Sequence, residues 1–403
     1  YVVFVLGTIK LFPFNEFTIL VILFITLLFN MFLGFRNPFD KLRAGKFGMT
    51  WKESYKIFLF EELLFLGALL LWSFIRAHQP DINGLEKFMD FGFINSILRS
   101  EYFPPKDMWF TPFPINYYYF GHLITAVLTK LSGIPSFITY NLMLSTIFAF
   151  TFTGAFSIGA NLLWFNVILR AKPEGSRKIL RFAQNDIKKI LTGGFITALL
   201  VSLAGNLHTI YAFFKPYVNE NPVPFWQLIF SPQTFPNSYW YPNATRFIHN
   251  TIHEFPLYSF VVSDLHGHVL DIPVVLLIIA ILLHVVILSP AEAGRRISGI
   301  LPLRFAQGQN DIRIFLLLAF LLAIMYMTNV WDGIIYLLLS SIVIFYIKKK
   351  NLLHTTYYIL LILIGFIVFS LPFSVNFKPF ASGIGILCAP QFLTDIGRIG
   401  PFL

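Results

Sequence analysis

A polar segment at residues 76–115 carries the first side chains that could do chemistry, because it interrupts long apolar runs with five carboxylates. Within it, GLEKFMDFGFINSILR (84–99) has a helical pattern, and Glu86 and Asp90 fall one turn apart on the same face. Two carboxylates on a face that leans towards the protein repel each other, and burial is expected to raise their pKa values. This arrangement suits a general base or a shared metal ion. The other interpretation is a solvated pair that stabilises the helix N-terminus.

Three consecutive tyrosines in PINYYYFGH (114–122) form a second candidate, at the start of the next apolar run. As an aromatic belt at the bilayer surface they would only anchor the helix. Three neighbours on a helix point around its whole circumference, however, so at least one must face protein. Aromatic faces stack on sugar rings and phenol hydroxyls donate to phosphate oxygens, so the segment is also a candidate substrate wall. Its candidate residues are Asn116, Tyr117, Tyr118, Tyr119 and His122.

The D-x-H-x-H pattern of Asp264, His266 and His268 is the densest group of metal-binding residue types. In an extended stretch the three side chains would share one face, whereas a helix would splay neighbours of the pattern by about 200°. Imidazole and carboxylate ligands suit zinc, manganese or iron. A histidine-rich helix end at the membrane interface is the alternative. Ionisable residues at membrane depth cost about 2.5–3.5 kcal/mol each, which argues against an idle cluster.

Three further charged residues are candidates for contact with a ligand. Arg76 and Arg99 flank the acidic pair, and guanidinium binds phosphate through paired hydrogen bonds. Asp332 lies in TNVWDG (328–333) between two apolar runs, where it could bind a ligand or hold its own loop by a hydrogen bond. The structural role is favoured for Asp332.

The composition of the chain is that of a membrane protein. Of its 403 residues 56% are hydrophobic and 12% are charged, and the mean hydropathy is +0.70. Soluble domains carry about 25% charged residues. Many apolar runs are near the length of about 20 residues with which a helix crosses the hydrocarbon core, and backbone groups in lipid must be satisfied within their own segment. We therefore predict an all-α, polytopic integral membrane bundle with about ten or eleven transmembrane helices.

The net charge of +10 does not indicate a nucleic-acid partner. Most Lys and Arg residues cluster in short segments beside apolar runs, which is the positive-inside pattern of cytoplasmic loops, and anionic lipid is a sufficient partner for them. These segments are residues 36–56, 170–189, 295–313 and 348–350. The pattern predicts a multi-pass protein of the cell membrane with its active face outside. It makes residues 76–115 and 215–255 two large extracytoplasmic loops, which are expected to carry short interfacial helices.

The same topology makes two predictions about individual runs. One crossing is expected at 116–132, and the run at 137–168 is too long for one ordinary span, so Gly154 is expected to mark a turn between two short helices. We treat residues 1–403 as a single membrane domain that is a fragment, with further residues expected at both ends.

Four segments together resemble the YYY-domain membrane proteins of archaea, Chloroflexota and related bacteria, a family named for its tyrosine triplet. They are EKFMDFGFINSILRSEYFPPKDMWF, INYYYFGH, SDLHGHVLDIP and TNVWDG, and they occur in the right order from Ile57 onwards. That family is similar to the GT-C superfamily of polytopic glycosyltransferases. Those enzymes use polyprenyl-phosphate-linked sugars and keep an acidic catalytic motif in the first large outward loop.

The resemblance implies roles by position. Glu86 and Asp90 match the acidic motif, the triplet matches Tyr117 to Tyr119, and the D-L-H-x-H motif matches Asp264, His266 and His268. Gly267 stands where the family more often has proline.

These observations predict a GT-C-like membrane glycosyltransferase, which moves a sugar from a polyprenyl-phosphate-linked donor to an acceptor on the extracytoplasmic face. Asp90 or Glu86 would be the general base. Asp264, His266 and His268 would hold a divalent metal ion or neutralise the donor phosphate, and no other cofactor is expected. The expected partners are membrane lipid and the polyprenyl-linked sugar, with no nucleic acid.

Two alternatives remain open. One is a transporter or flippase for a lipid-linked or small anionic substrate, which should show ionisable residues near the midplane of several spans and often inverted repeats. The other is a non-catalytic membrane protein of cell-envelope assembly.

Overall fold

The computed structural model describes a chain of helices joined by loops. The described residues are 1–34, 51–170, 187–206, 241–245, 252–287, 309–348 and 351–378. In these ranges the regular elements are twelve α-helices and one 3-10 helix, and the only strand-like pairing is an isolated bridge between Lys106 and Pro114. The all-α prediction is therefore confirmed.

The helices fall into two compact units. In chain order they are α1 (Val2–Thr8), α2 (Glu16–Gly34), α3 (Trp51–Ala77), α4 (Lys87–Arg99), α5 (Phe120–Ser132), α6 (Ser136–Arg170), α7 (Ile187–Ser202), α8 (Pro256–Val262), α9 (Gly267–Ile287), α10 (Gln309–Thr328), α11 (Val330–Lys348) and α12 (Leu352–Ser374). The first unit comprises Tyr1–Ser202 and Ser263–Lys378. The second comprises Leu203–Val262 and Pro379–Leu403, and α8 belongs to it.

Five helices in the described ranges are long and apolar enough to cross a membrane. Their apolar spans are Phe58–Ala77, Ser136–Phe165, Gly267–Val286, Val330–Lys348 and Leu352–Ser374. Two shorter apolar stretches, Glu16–Met31 and Ile312–Thr328, lie in α2 and α10. Of these spans α6 is the most enclosed, since 56% of its apolar window is buried against 11% in α3. Within the first unit α3, α5, α7 and α9 pack against α6, whereas α10, α11 and α12 pack against one another.

The region 137–168 is one continuous helix, so the predicted turn at Gly154 is wrong. α6 runs through it for 35 residues. The small residues of this region allow α6 and α7 to pack closely and do not make a turn. A Cβ on Gly194 of α7 would lie 2.7 Å from the Phe156 ring of α6, and a Cβ on Gly159 of α6 would clash with Thr197 of α7.

The crossing predicted at 116–132 is also wrong. α5 begins only at Phe120 and has 13 residues, which rise about 20 Å, less than the ~30 Å of a hydrocarbon core. Since α5 is not a crossing and α6 is a single one, one membrane crossing remains between Arg76 and Arg170. An odd number is what the positive-inside argument requires, so the predicted orientation is unaffected and stays a prediction.

The predicted loop at 76–115 contains the short helix expected there. α4 begins at Lys87 and buries Phe93, Ile94 and Ile97, which share one stripe with Asp90 at helical spacing. This stripe packs on an apolar cluster that includes Phe4 of α1, Phe120 of α5 and Phe373 of α12. The cluster fixes the position of α4 and α5, which carry the candidate residues.

The second unit is described only in part. Most of the predicted loop at 215–255 lies outside the described residues, apart from the 3-10 helix Tyr241–Thr245 and residues 252–255. Within this unit the Asn206 side chain donates to the Ala244 carbonyl at 2.7 Å, and the Tyr241 and Tyr258 rings lie 5.4 Å apart.

Candidate functional site

Side chains from three distant segments of the first unit meet at one place. Glu86 and Asp90 come from the start of α4, Tyr117 from the tyrosine triplet, and His266 from the turn that leads into α9. The Nδ1 atom of His266 lies 2.9 Å from Oε2 of Glu86 and 3.5 Å from Oδ1 of Asp90. Its Nε2 atom lies 2.7 Å from the hydroxyl of Tyr117, which is 149 residues away in the chain. We call these residues, with Tyr118 and His122, the acid–imidazole cluster.

Asp90 is the buried centre of the cluster. Its side chain is 0% exposed, and its Oδ1 atom lies 2.9 Å from Nε2 of His122, which is equally buried. α4 carries Asp90 to this depth because the residue lies on the apolar stripe of the helix, and α5 brings His122 to it in its first turn. A carboxylate without water needs such a partner, since an isolated buried charge is very costly.

Glu86 is the accessible carboxylate of the cluster. It is the N-cap residue of α4, and its backbone carbonyl accepts hydrogen bonds from the amides of Met89 and Asp90. Its side chain makes no capping hydrogen bond and instead reaches His266, with 58% of the side chain exposed. Of the two acidic residues, only Glu86 presents its carboxylate to a ligand.

The carboxyl pKa values are shifted in the opposite direction to the one expected from the sequence. Burial acts to raise the pKa of Asp90, but the hydrogen bonds and charges of His122 and His266 bring it below its usual range. Contact with His266 also lowers the pKa of Glu86. Burial acts to lower the pKa of His266, yet its contacts with Asp90 and Glu86 raise it to about 11. At neutral pH Glu86 and Asp90 are therefore carboxylates and His266 is an imidazolium.

The tyrosine triplet divides between two roles. The Tyr117 hydroxyl donates to the Tyr118 hydroxyl at 2.7 Å, and burial followed by this hydrogen bond raises the pKa of Tyr117. The protonated His266 can then donate from Nε2 to the Tyr117 oxygen, so the chain of donors ends at Tyr118. Tyr119 points the other way, into the apolar cluster, where its ring packs against Phe4 and Phe373.

Glycine allows the segments of the site to approach so closely. A Cβ on Gly267 would lie 2.5 Å from the backbone oxygen of Thr328 and 2.7 Å from the Tyr118 ring. A Cβ on Gly121 would lie 2.8 Å from the Leu270 side chain. Either side chain would push α9 away from the segment that carries the tyrosines.

The D-x-H-x-H segment does not form the extended face that we considered. α9 begins at Gly267, so His268 is helical while Asp264 and His266 precede the helix. Asp264 is buried and interacts electrostatically with Lys87. The His266 and His268 ring centroids are 5.4 Å apart.

These three residues do not fit a metal ion in the observed arrangement. Both ring nitrogens of His266 already contact protein side chains, so His266 has no nitrogen to offer as a ligand. In the described part of the chain, no group of three or more His, Cys, Asp and Glu side chains is arranged to hold an ion. Metal binding by Asp264, His266 and His268 stays a prediction.

Arg76 lies outside the cluster, at the wall of a cavity of about 530 Å³. It is 7% exposed and donates to Oδ1 of Asn141 at 2.6 Å and to the Asp81 carbonyl at 2.8 Å. The cavity lies between the ends of α3 and α6, and most of its other lining is apolar, including Phe91 and Phe137. Arg76 is thus a buried cation beside an apolar space.

Three other candidate residues do not join the cluster. Arg99 is exposed and donates to the Asn95 carbonyl in its own helix. The Asn116 side chain makes two hydrogen bonds to the backbone of Lys378. Its Nδ2 donates to the Lys378 carbonyl at 3.0 Å, and its Oδ1 accepts from the Lys378 amide at 2.8 Å. Asp332 accepts from the Asn329 side chain at 2.7 Å across the break between α10 and α11, which is the loop role favoured from the sequence.

Sequence reasoning missed one acidic residue, Asp271. It is 0% exposed and lies one turn into α9. The signal was present, because an ionisable residue inside an apolar run is unusual and costly.

Comparison with known proteins places the chain in a family. A family model described as "Uncharacterized membrane protein (DUF2298)" matches residues 1–397. The chain belongs to this family. No curated protein and no solved structure matches it. Family membership agrees with the helices of the fold in establishing a membrane protein, and it assigns no activity to the acid–imidazole cluster.

Proposed function

We propose that the protein is an integral membrane glycosyltransferase of the GT-C-like kind, which transfers a sugar from a polyprenyl-phosphate-linked donor to an acceptor hydroxyl. The observation that carries the proposal is the meeting of Glu86, Asp90, Tyr117 and His266 from three separate segments. One member is exposed enough to react and one is buried enough to hold the others in place. Such a division is typical of catalytic sites and has no evident use in a passive bundle.

Glu86 is the general base in this proposal. The acceptor oxygen attacks the anomeric carbon, the bond from that carbon to the phosphate oxygen breaks, and the phosphate leaves with the electron pair. The acceptor proton passes to Glu86, which has the accessible carboxylate. Asp90 is too deeply buried to touch a hydroxyl, so it is a positioning residue for His122 and His266.

His266 and Tyr118 stabilise the leaving phosphate. The imidazolium supplies a positive charge within the cluster, and Tyr118 lies at the end of the hydrogen-bond chain with a hydroxyl able to donate. When a phosphate interacts with the His266 imidazolium, the interaction between His266 and Glu86 weakens. The Glu86 pKa then rises towards its ordinary value as the donor binds, which makes it a better base.

The Arg76 cavity supports a lipid-linked donor. It combines apolar walls from α3, α4 and α6, which suit an isoprenoid chain, with the buried Arg76 guanidinium, which would meet an anionic head; Asp81 also lines the cavity. Lys87, at the start of α4, interacts electrostatically with Arg76 and Asp264 and adds a second cation near the cluster.

A transporter is the second candidate, because Asp271 and Asp332 lie in helices long enough to span a membrane. Both residues are within the first five positions of their helices, near the helix ends and away from the midplane. The polar groups therefore gather at the ends of spans, which favours the enzyme.

The test uses purified protein in liposomes with a panel of polyprenyl-phosphate-linked hexoses. Glu86→Gln should abolish release of lipid phosphate while the thermal midpoint stays near that of the unchanged protein. Glu101→Gln is the matched control, because Glu101 is an exposed carboxylate in the same loop and outside the cluster. Full turnover by Glu86→Gln, or substrate flux across sealed liposomes without any cleavage, would exclude the proposed reaction.

A further inference from the structure

A second acidic pair lies beside the acid–imidazole cluster and has no role in the proposed transfer. Asp271 lies one turn into α9, and Asp332 lies in the first turn of α11. These two helices pack against each other, and the two carboxylates repel each other electrostatically. Tyr336, one turn further along α11, interacts electrostatically with both carboxylates.

Within the ranges that the structure describes, Asp271 lacks the hydrogen-bond donor that Asp332 has. Asn329 donates to Asp332, whereas no donor among the described residues reaches either carboxylate oxygen of Asp271. Both of those oxygens are fully buried. Burying a carboxylate without a partner is among the costliest arrangements in a protein, and a second carboxylate nearby adds to the cost. The site therefore calls for a positive species.

We propose that Asp271 and Asp332 bind one divalent cation at the ends of α9 and α11, with the Asn329 amide and the Tyr336 hydroxyl beside it. Two carboxylates supply the charge that balances a divalent ion, and the atoms that Asp271, Asp332 and Tyr336 offer as ligands are oxygens. Oxygen ligands select hard cations such as Mg²⁺, Mn²⁺ and Ca²⁺. The site differs from the D-x-H-x-H residues, where His266 is already engaged by Glu86 and Tyr117.

The proposed ion lies close to the acid–imidazole cluster. His268 lies on α9 between His266 and Asp271 and interacts electrostatically with Asp332. Gly267 brings the start of α9 against Thr328, the last residue of α10, directly before Asn329. The proposal concerns binding alone and holds whether or not the protein transfers sugars.

The first experiment measures thermal unfolding of detergent-purified protein after chelation and with added MnCl₂, MgCl₂ or CaCl₂. Binding to the folded state should raise the midpoint by a few degrees. Asp271→Asn removes the buried charge with little change in shape. It should raise the midpoint of the chelated protein and abolish the response to the ions. Asp264→Asn is the matched control, and its response to the ions should persist.

The second experiment counts the ions. Electron paramagnetic resonance of free Mn²⁺ should give about one bound ion per chain, and none in the Asp271→Asn/Asp332→Asn variant. If the chelated protein does not respond to any ion, the pair holds a proton instead and the proposal is wrong. It is equally wrong if Asp264→Asn loses the response and Asp271→Asn keeps it.

Discussion

The Nε2 atom of His122 lies 2.9 Å from the Oδ1 atom of Asp90, and neither side chain is exposed. This pair joins α4 to α5 inside an apolar environment, and the same carboxylate oxygen also faces His266. The burial of the pair makes it structural as well as electrostatic, and it ties the position of the catalytic candidates to the stability of the bundle.

Breaking the Asp90–His122 pair should destabilise the protein strongly. Removal of one partner leaves an uncompensated buried group, which costs about 3–5 kcal/mol. We expect Asp90→Ala and His122→Ala each to lower the thermal midpoint in detergent, and the double variant to lose less than the sum of the two. Strict additivity of the two losses would show that the residues do not interact.

Tyr117 and Tyr119 should respond differently to the same substitution. Tyr117→Phe removes the hydroxyl that links His266 to Tyr118, so transfer should fall by roughly 100-fold, in the range typical for a proton-handling group. Tyr119→Phe is the control, because its ring lies in the apolar cluster, and it should keep near-normal activity. The comparison is an initial-rate assay on both variants. Equal losses would place the whole triplet in the structural core.

Gly267→Ala should damage the site through the backbone. The new methyl group would meet the Thr328 oxygen and the Tyr118 ring, so α9 must shift and carry His266 with it, at a cost of about 1–3 kcal/mol. Gly67→Ala is the matched control, since nothing lies within 4 Å of its Cβ position in α3. That change should be neutral or stabilise the helix by up to about 1 kcal/mol. Thermal midpoints of both variants decide the matter, and an unaffected Gly267→Ala protein would contradict the close approach.

The stability of the cluster should depend on pH with a defined sign. The folded pKa of His266, about 11, is above its ordinary value of about 6.5. The stability that His266 contributes to the folded protein is therefore complete below about pH 6.5 and declines as pH rises towards the folded pKa. For Asp90 the folded pKa is lowered, so its contribution is present above its ordinary value of about 3.9 and is lost as pH falls through the folded one.

The measurement is the difference in thermal midpoint between the unchanged protein and His266→Gln, taken from pH 6 to pH 10.5. Subtracting the variant removes the effects of other titrating groups. We expect the advantage of the unchanged protein to shrink steadily over this range. A difference that stays constant with pH would mean that His266 is not held as an imidazolium.

Local sequence patterns determined the class of the protein and the residue types of the site. Apolar runs near the thickness of a bilayer predict helices whatever their neighbours are, because backbone groups in lipid must pair within their own segment. Helical spacing also placed Glu86 and Asp90 on one face, and the structure has them both in contact with His266. These properties depend on residues a few positions apart.

Only the tertiary structure decided which candidates belong together and in what state. Nothing local separates Tyr117 from Tyr119, or shows that Gly154 continues a helix, because the neighbouring helix determines both. The pKa directions were missed for the same reason, since the partners of Asp90 come from α5 and from the turn before α9. Periodicity reports which face a side chain lies on, and packing between distant segments determines what that face meets.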